Sequence, residues 1–163
     1  TVSSKDFKSD KPLAGMEFQR HYENLAYKIG GGNFKTPIQL LGDFLNDRKT
    51  TKLGKVNPSV LANDYTLASI GEALPSYVVD SLKEGIESFD KKINGFADYD
   101  AILTGIETRT SAPVRIERNK NLESISLTGL YPAGEGAGFA GGIISAAVDG
   151  IKVAESIMGY FCK

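Results

Sequence analysis

Leu127-Thr-Gly-Leu-Tyr-Pro-Ala-Gly-Glu-Gly-Ala-Gly-Phe-Ala-Gly-Gly-Ile-Ile-Ser-Ala-Ala-Val-Asp-Gly-Ile-Lys-Val-Ala-Glu-Ser-Ile-Met-Gly-Tyr-Phe-Cys-Lys163 is the stretch around which the chain is organised. The apolar run from Ile125 to Tyr131 reads as a strand. Gly134 to Gly142 reads as a glycine-dense turn, and a helical pattern then runs from about Phe139 to Phe161. A strand, a glycine turn and a helix in that order aim unpaired backbone N–H groups at an anion.

The side chains missing at Gly136, Gly138, Gly141 and Gly142 would obstruct a ligand's approach to the backbone, or the packing of helix on strand. The helix macrodipole places partial positive charge at about Phe139 to Ile143, where a phosphate or another electron-rich group is stabilised. Glu135, flanked by Gly134 and Gly136, is costly beside a phosphate but suited to accepting hydrogen bonds from sugar hydroxyls. Gly136-Ala-Gly-Phe-Ala-Gly141 satisfies G-x-G-x-x-G. The context is wrong for a dinucleotide fingerprint, however, because a helix follows with no second strand, and Glu155 falls on that helix. A glycine-rich helix start that only packs tightly explains the same pattern.

Upstream, Phe18, Tyr22, Leu25, Ala26 and Ile29 recur at helical spacing, and Gly30-Gly31-Gly32 ends that helix. The three glycines suit either a helix C-terminus or a loop that approaches a ligand. His21 reads as a surface histidine. Thr36-Pro37-Ile38-Gln39 carries an N-cap, a first-turn proline and a capping-box glutamine, which predicts a short helix to Leu45. Residues 48–64 read as a loop whose Lys49, Lys52 and Lys55 are either solvated or a basic lid. Val78, Leu82, Ile86, Phe89 and Ile93 form one stripe of a longer helix that starts near Pro75 and closes at Asn94-Gly95. From Ala101 to Glu117 the period changes to alternation, interrupted at Pro113, so strands are predicted. There Arg109, Thr110 and Ser111 could grip a carboxylate or another anionic oxygen; a cross-strand Arg–Glu pair is the plainer reading. The last helix has only a narrow polar stripe, Ser145, Asp149, Lys152 and Ser156, so it needs cover on most sides.

Length and composition set the outer limits. With 163 residues, 41% hydrophobic and 24% charged, the chain reads as one globular domain rather than as disordered. The fold class is α+β, with three to four helices and a small sheet. Nineteen basic against 20 acidic residues leave a net charge of −1, which gives no field for nucleic acid or for an anionic membrane. One cysteine, Cys162, and one histidine make a His/Cys metal site unexpected and favour a reducing, cytoplasmic setting. No apolar run approaches the length of a membrane span.

Gly129-Leu-Tyr-Pro-Ala-Gly-Glu-Gly-Ala-Gly-Phe-Ala-Gly-Gly-Ile-Ile-Ser-Ala-Ala-Val-Asp-Gly-Ile-Lys152 resembles the C-terminal signature of a family of bacterial FAD-dependent dehydrogenases. Leu13-Ala-Gly-Met-Glu-Phe-Gln-Arg20, Gly30-Gly-Gly-Asn-Phe34, Leu40-Leu-Gly-Asp-Phe-Leu45 and Thr104-Gly-Ile-Glu-Thr-Arg-Thr-Ser-Ala-Pro-Val-Arg-Ile116 extend the resemblance over almost the whole chain. It implies an FAD site to which Gly134, Glu135, Gly136, Ala137, Gly138, Phe139, Gly141, Gly142 and Ile143 contribute. Glu135 is then expected near the ribitol and the helix start near the isoalloxazine ring, with Arg109, Thr110 and Ser111 as substrate or flavin contacts.

The resemblance further implies that residues 1–126 form a substrate-side region and residues 127–163 the closing strand–turn–helix of the FAD-binding domain. The N-terminal Rossmann half would lie outside a chain that begins at Thr1, and would be its partner. The chain alone is expected to bind FAD weakly or not at all, to show little catalysis, and to self-associate through its last helix. The competing expectation is a non-enzymatic interaction module that uses the glycine turn as an anion nest.

Overall fold

The computed structural model describes residues 2–109 and 111–162, apart from the side chain of Leu61. Thr110 therefore lies outside the described residues. The chain is α+β, with four α-helices and a small mixed sheet of three strands among the described residues. It divides into two compact units: Arg20–Thr108, and Thr1–Gln19 with Arg109–Lys163.

The unit Arg20–Thr108 is built on the sheet. Strand β1 (Thr36–Leu40) lies between β2 (Tyr65–Leu67), which it pairs in parallel, and β3 (Ile102–Thr104), which it pairs antiparallel. The short helix α2 (Leu41–Leu45) follows β1 directly. The predicted helix over Pro37–Leu45 is thus corrected to a strand and then one helical turn and a half. Thr36 and Gln39 carry a helix-start signal, but pairing on both sides and burial of Pro37, Ile38 and Gln39 override it. Pro37 sits in a central strand and lends it only a carbonyl, which accepts the Gly105 N–H at 3.3 Å.

Ile38, Leu41, Phe44, Ala68, Ile70 and Ala73 make the core of this unit. Two fully buried polar side chains stitch its loops to β1. The Gln39 amide nitrogen donates to the Arg48 carbonyl at 2.6 Å, and its oxygen accepts the Ile70 N–H at 2.7 Å. The Thr50 hydroxyl accepts the Leu40 N–H at 2.9 Å and donates to the Asp43 carboxylate at 2.8 Å. Asp43 also pairs with Arg48 at 3.3 Å, so it is a structural acid. Thr50→Val keeps the shape but orphans the partly buried Leu40 N–H, and urea unfolding is expected to register a loss of about 1–3 kcal/mol. A loss below experimental error would show that water replaces the hydroxyl.

Helix α1 (Ala14–Ile29) falls where the apolar spacing places it, and helix α3 (Ser76–Asp90) starts as predicted after Pro75 but ends before Ile93 and the expected stop at Asn94-Gly95. At the end of α1 the N–H groups of Gly30, Gly31 and Gly32 return to the carbonyls of Ala26, Lys28 and Tyr27. Gly31 and Gly32 have φ of +99° and +69°. The glycines are therefore a helix stop in the first place.

In the other unit, helix α4 (Ile143–Phe161) dominates. It starts later than the pattern suggests, because Gly142 is extended (φ −163°, ψ 164°). The predicted strand over Ile125–Tyr131 does not form. Among the described residues the only pairing there is one isolated bridge between Arg118 and Ser124. Ser124 N–H donates to the Leu130 carbonyl at 2.7 Å, so the chain doubles back on itself, with Gly129 at φ +78°. Alternation can nominate a strand but supplies no partner for it. For the same reason the strands predicted between Ala101 and Glu117 are represented among the described residues by β3 alone.

No helix among the described residues is long and apolar enough to cross a membrane. No group of three or more His, Cys, Asp or Glu among them is placed to hold a metal ion.

Candidate functional site

The glycine turn is held by its own backbone. Gly138 N–H donates to the Glu135 carbonyl at 2.9 Å, and Phe139 N–H donates to the Gly134 carbonyl at 3.0 Å. Gly134 and Gly138 have φ of +69° and +83°, which glycine tolerates and other residues resist. The turn is docked on residues 114–116: Ile116 N–H donates to the carbonyl of the buried Ala137 at 3.1 Å, and Arg115 Nε donates to the Gly138 carbonyl at 2.9 Å.

A side-chain clip ties the turn to α4. The Arg118 guanidinium donates to both Asp149 carboxylate oxygens, at 3.0 and 2.6 Å, and to the Pro132 carbonyl at 2.8 Å. It also stacks 3.6 Å from the centroid of the Phe139 ring. Asp149 accepts the Gly134 N–H at 2.8 Å. The side chains of Arg118 and Asp149 are only 11% and 12% exposed. The hydrogen bonds from Arg118, then that from Gly134, hold the Asp149 carboxyl down at about 2, against a partial burial that pushes it up. Sequence reading did not single out Arg118 or treat Asp149 as more than part of a polar stripe. An acid in the narrow polar stripe of a largely apolar helix was the available signal, since such an acid, once packed inward, requires a cation.

With Gly134 and Gly138 committed to the fold, the remaining glycines separate from them. A Cβ built on Gly136 or Gly141 meets nothing within 4 Å, and on Gly142 only Ser145 Oγ at 3.7 Å. None of the three has a left-handed backbone. Gly136 and Gly141 are exposed, Glu135 is half-buried, and Ile143, at the first turn of α4, is 89% exposed. An open depression of about 730 Å³ runs along this end of α4, lined by Phe139, Gly142, Ile143, Ile144, Ser145, Val148, Asp149 and Lys152. Arg109 and Ser111 are both exposed and are not among the residues lining it. Ser111 offers its carbonyl to Gln19 Nε2 at 3.4 Å.

Helix α4 is inside out. Asp149, Val153 and Ser156 share the face packed on this unit; Ser156 Oγ donates to the Asn121 carbonyl at 2.6 Å, and Val153 is buried. Ile143, Ile144, Val148, Ile151, Met158 and Phe161 are exposed. Asp149 and Ser156 of the polar stripe thus make the internal contact, whereas Ser145 and Lys152 are exposed and much of the apolar surface faces outward.

Residues 1–110 match the family described as FAD-dependent protein, C-terminal domain-like. The chain belongs to that family. An uncharacterized protein of Clostridium beijerinckii is 68% identical over 161 residues, 99% of this chain and 30% of its own length. The chain therefore spans about 30% of the length of the curated relative it matches. The family match ends before the glycine turn, whereas the similarity to the relative covers nearly every residue.

Proposed function

We infer that this chain is the C-terminal portion of an FAD-dependent oxidoreductase, a dehydrogenase, and that its glycine turn contributes to the flavin site. The observation that carries this reading is the set of glycines the fold does not require. Gly136 and Gly141 meet no packing and no left-handed backbone that would explain them. A backbone approached closely by a ligand does explain them. The residues fit the group. Glu135 beside them offers a carboxylate to ribitol hydroxyls, and the first turn of α4 presents positive partial charge through Gly142 and Ile143 to an electron-rich ring edge. Bound FAD would supply the redox chemistry, and the protein would position the cofactor and exclude water from it. Arg109 and Ser111 are the proposed contacts to flavin or substrate oxygens.

The outward apolar surface of α4 completes the reading. In the relative, the matched residues are 30% of the protein, so most of that polypeptide is additional to them. We assign it the cover for α4, including the Rossmann half of the flavin site. Self-association of this chain through α4 is the corresponding expectation when that cover is missing.

The test is an FAD titration followed by flavin fluorescence, on this chain and on the full-length relative with these 163 residues exchanged into it. Tight binding in the exchanged protein, weak binding in the chain alone, and loss on Gly136→Val with the fold intact are expected. Absence of binding in both well-folded proteins would overturn the flavin reading. It would leave an interaction module, with Asp149 already occupying one N–H of the anion nest.

A further inference from the structure

Phe34 is 88% exposed and has φ +64°, a left-handed backbone that a bulky residue resists. So exposed a ring buries little apolar surface, and stability alone does not account for it. It nevertheless has a defined neighbour. The Tyr27 ring lies with its centroid 5.0 Å away at 57°, and Tyr27 is itself fixed by a short hydrogen bond from its hydroxyl to the Gly32 carbonyl. The loop between them is tied down as well. Gly32 N–H returns to the Tyr27 carbonyl at 2.9 Å, and Thr66 Oγ1 donates to the Gly30 carbonyl at 2.7 Å. Two rings are thus held in place by a turn made of glycines.

Both rings line an open depression of about 440 Å³ in the Arg20–Thr108 unit, together with Lys35, Ile106 and Glu107. The charges there are unequal. Lys35 Nζ is matched by the Asp64 carboxylate at 3.5 Å. Glu107 has no ion-pair or hydrogen-bond partner among the described residues. With Asp64 offsetting Lys35, one uncompensated negative charge remains beside two aromatic faces. Aromatic faces and a carboxylate both attract a weakly hydrated cation. An anion would be repelled by Glu107, and an uncharged apolar ligand would gain nothing from the carboxylate.

We propose that this depression binds a small organic ammonium ion, held by the Phe34 and Tyr27 rings and by the Glu107 carboxylate. The site lies within one unit, and its occupation does not depend on the flavin reading. It also gives the triple glycine a second use: Gly31 and Gly32 end α1 and, in the same turn, lift Phe34 to the mouth of the depression.

An amide NMR titration of the chain with choline chloride tests the proposal, beside choline's uncharged isostere with carbon in place of nitrogen, and beside sodium benzoate. Choline is expected to shift the signals of Tyr27, Phe34 and Glu107 and to bind about fivefold or more tighter than the isostere, with benzoate weaker still. Phe34→Gly relieves the left-handed backbone, so its thermal midpoint should stay level or rise while choline affinity falls about fivefold. Loss of affinity in that variant therefore does not reflect unfolding. Glu107→Gln, an exposed substitution, should weaken choline and leave the isostere unchanged. Equal binding of choline and its isostere, tighter binding of benzoate, no binding of choline, or full choline affinity in Phe34→Gly would each overturn the assignment.

Discussion

Gly138→Ala is expected to destabilise the chain by about 3–5 kcal/mol, enough to unfold the glycine turn under mild conditions. Two costs add. The φ of +83° places the residue in the left-handed region, at about 1–2 kcal/mol for any side chain. The new Cβ would also stand 2.5 Å from the Val114 carbonyl oxygen and 2.9 Å from Arg115 Cα. Both are backbone atoms, so no side-chain rotation relieves the contact. The segments would have to part, breaking the Ile116 N–H bond to Ala137 and the Arg115 bond to Gly138 that join them. Gly136→Ala is the matched control, two residues away, in open space and with no left-handed backbone. Its stability should change by no more than about 0.5 kcal/mol. Urea unfolding of both variants followed by circular dichroism separates them, and equal midpoints would contradict the packing described for the turn. The contrast also fixes which glycine can report on a cofactor: a bulky residue at Gly138 removes the fold along with any ligand, whereas one at Gly136 or Gly141 leaves the fold in place.

The sequence resolved this chain unevenly, for physical reasons. Helices α1 and α3 were legible because a sustained 3.6-residue period was bounded by Gly30 and by Pro75. Strand β2 was not, since the three residues Tyr65–Leu67 are too short to show alternation. Strand β1 was misread because Thr36, Pro37 and Gln39 spell a local helix start, and only two neighbouring strands and burial of Gln39 decide otherwise. The run Ile125–Tyr131 erred in the other direction: the pattern was present and the partner strand absent. In the candidate site the glycine turn could be found by composition. The division of labour within it could not, because φ and the free space at each Cβ are properties of the folded backbone. Arg118 and Asp149 are 31 residues apart, and nothing local distinguishes Arg118 from Arg115 as the partner of Asp149.

Asp149→Ala is expected to cost about 3 kcal/mol, because it strips the partner from a guanidinium that is itself largely buried. The same change frees the Gly134 N–H and lets Arg118 leave the Phe139 ring, so the clip from turn to helix is lost as a unit. Acid should reproduce part of this in the unaltered protein. The Asp149 carboxyl is held at about 2 in the folded chain against an ordinary value of 3.8. A depressed carboxylate contributes stability that is fully present above its unfolded value and is lost as pH falls through the folded one. Between about pH 5 and pH 2 the chain should therefore lose roughly 2 kcal/mol that Asp149→Asn does not lose. Urea unfolding at a series of pH values measures the difference, and the two curves should converge toward pH 2. Parallel curves would mean that the Arg118 pair contributes no net stability, and that the turn is seated by its backbone contacts to residues 114–116 alone. Convergence would identify Asp149 as the internal anion of the glycine turn. A bound cofactor would then have to use the N–H groups beyond Gly134, at Gly136 and toward the first turn of α4, where the exposed glycines lie.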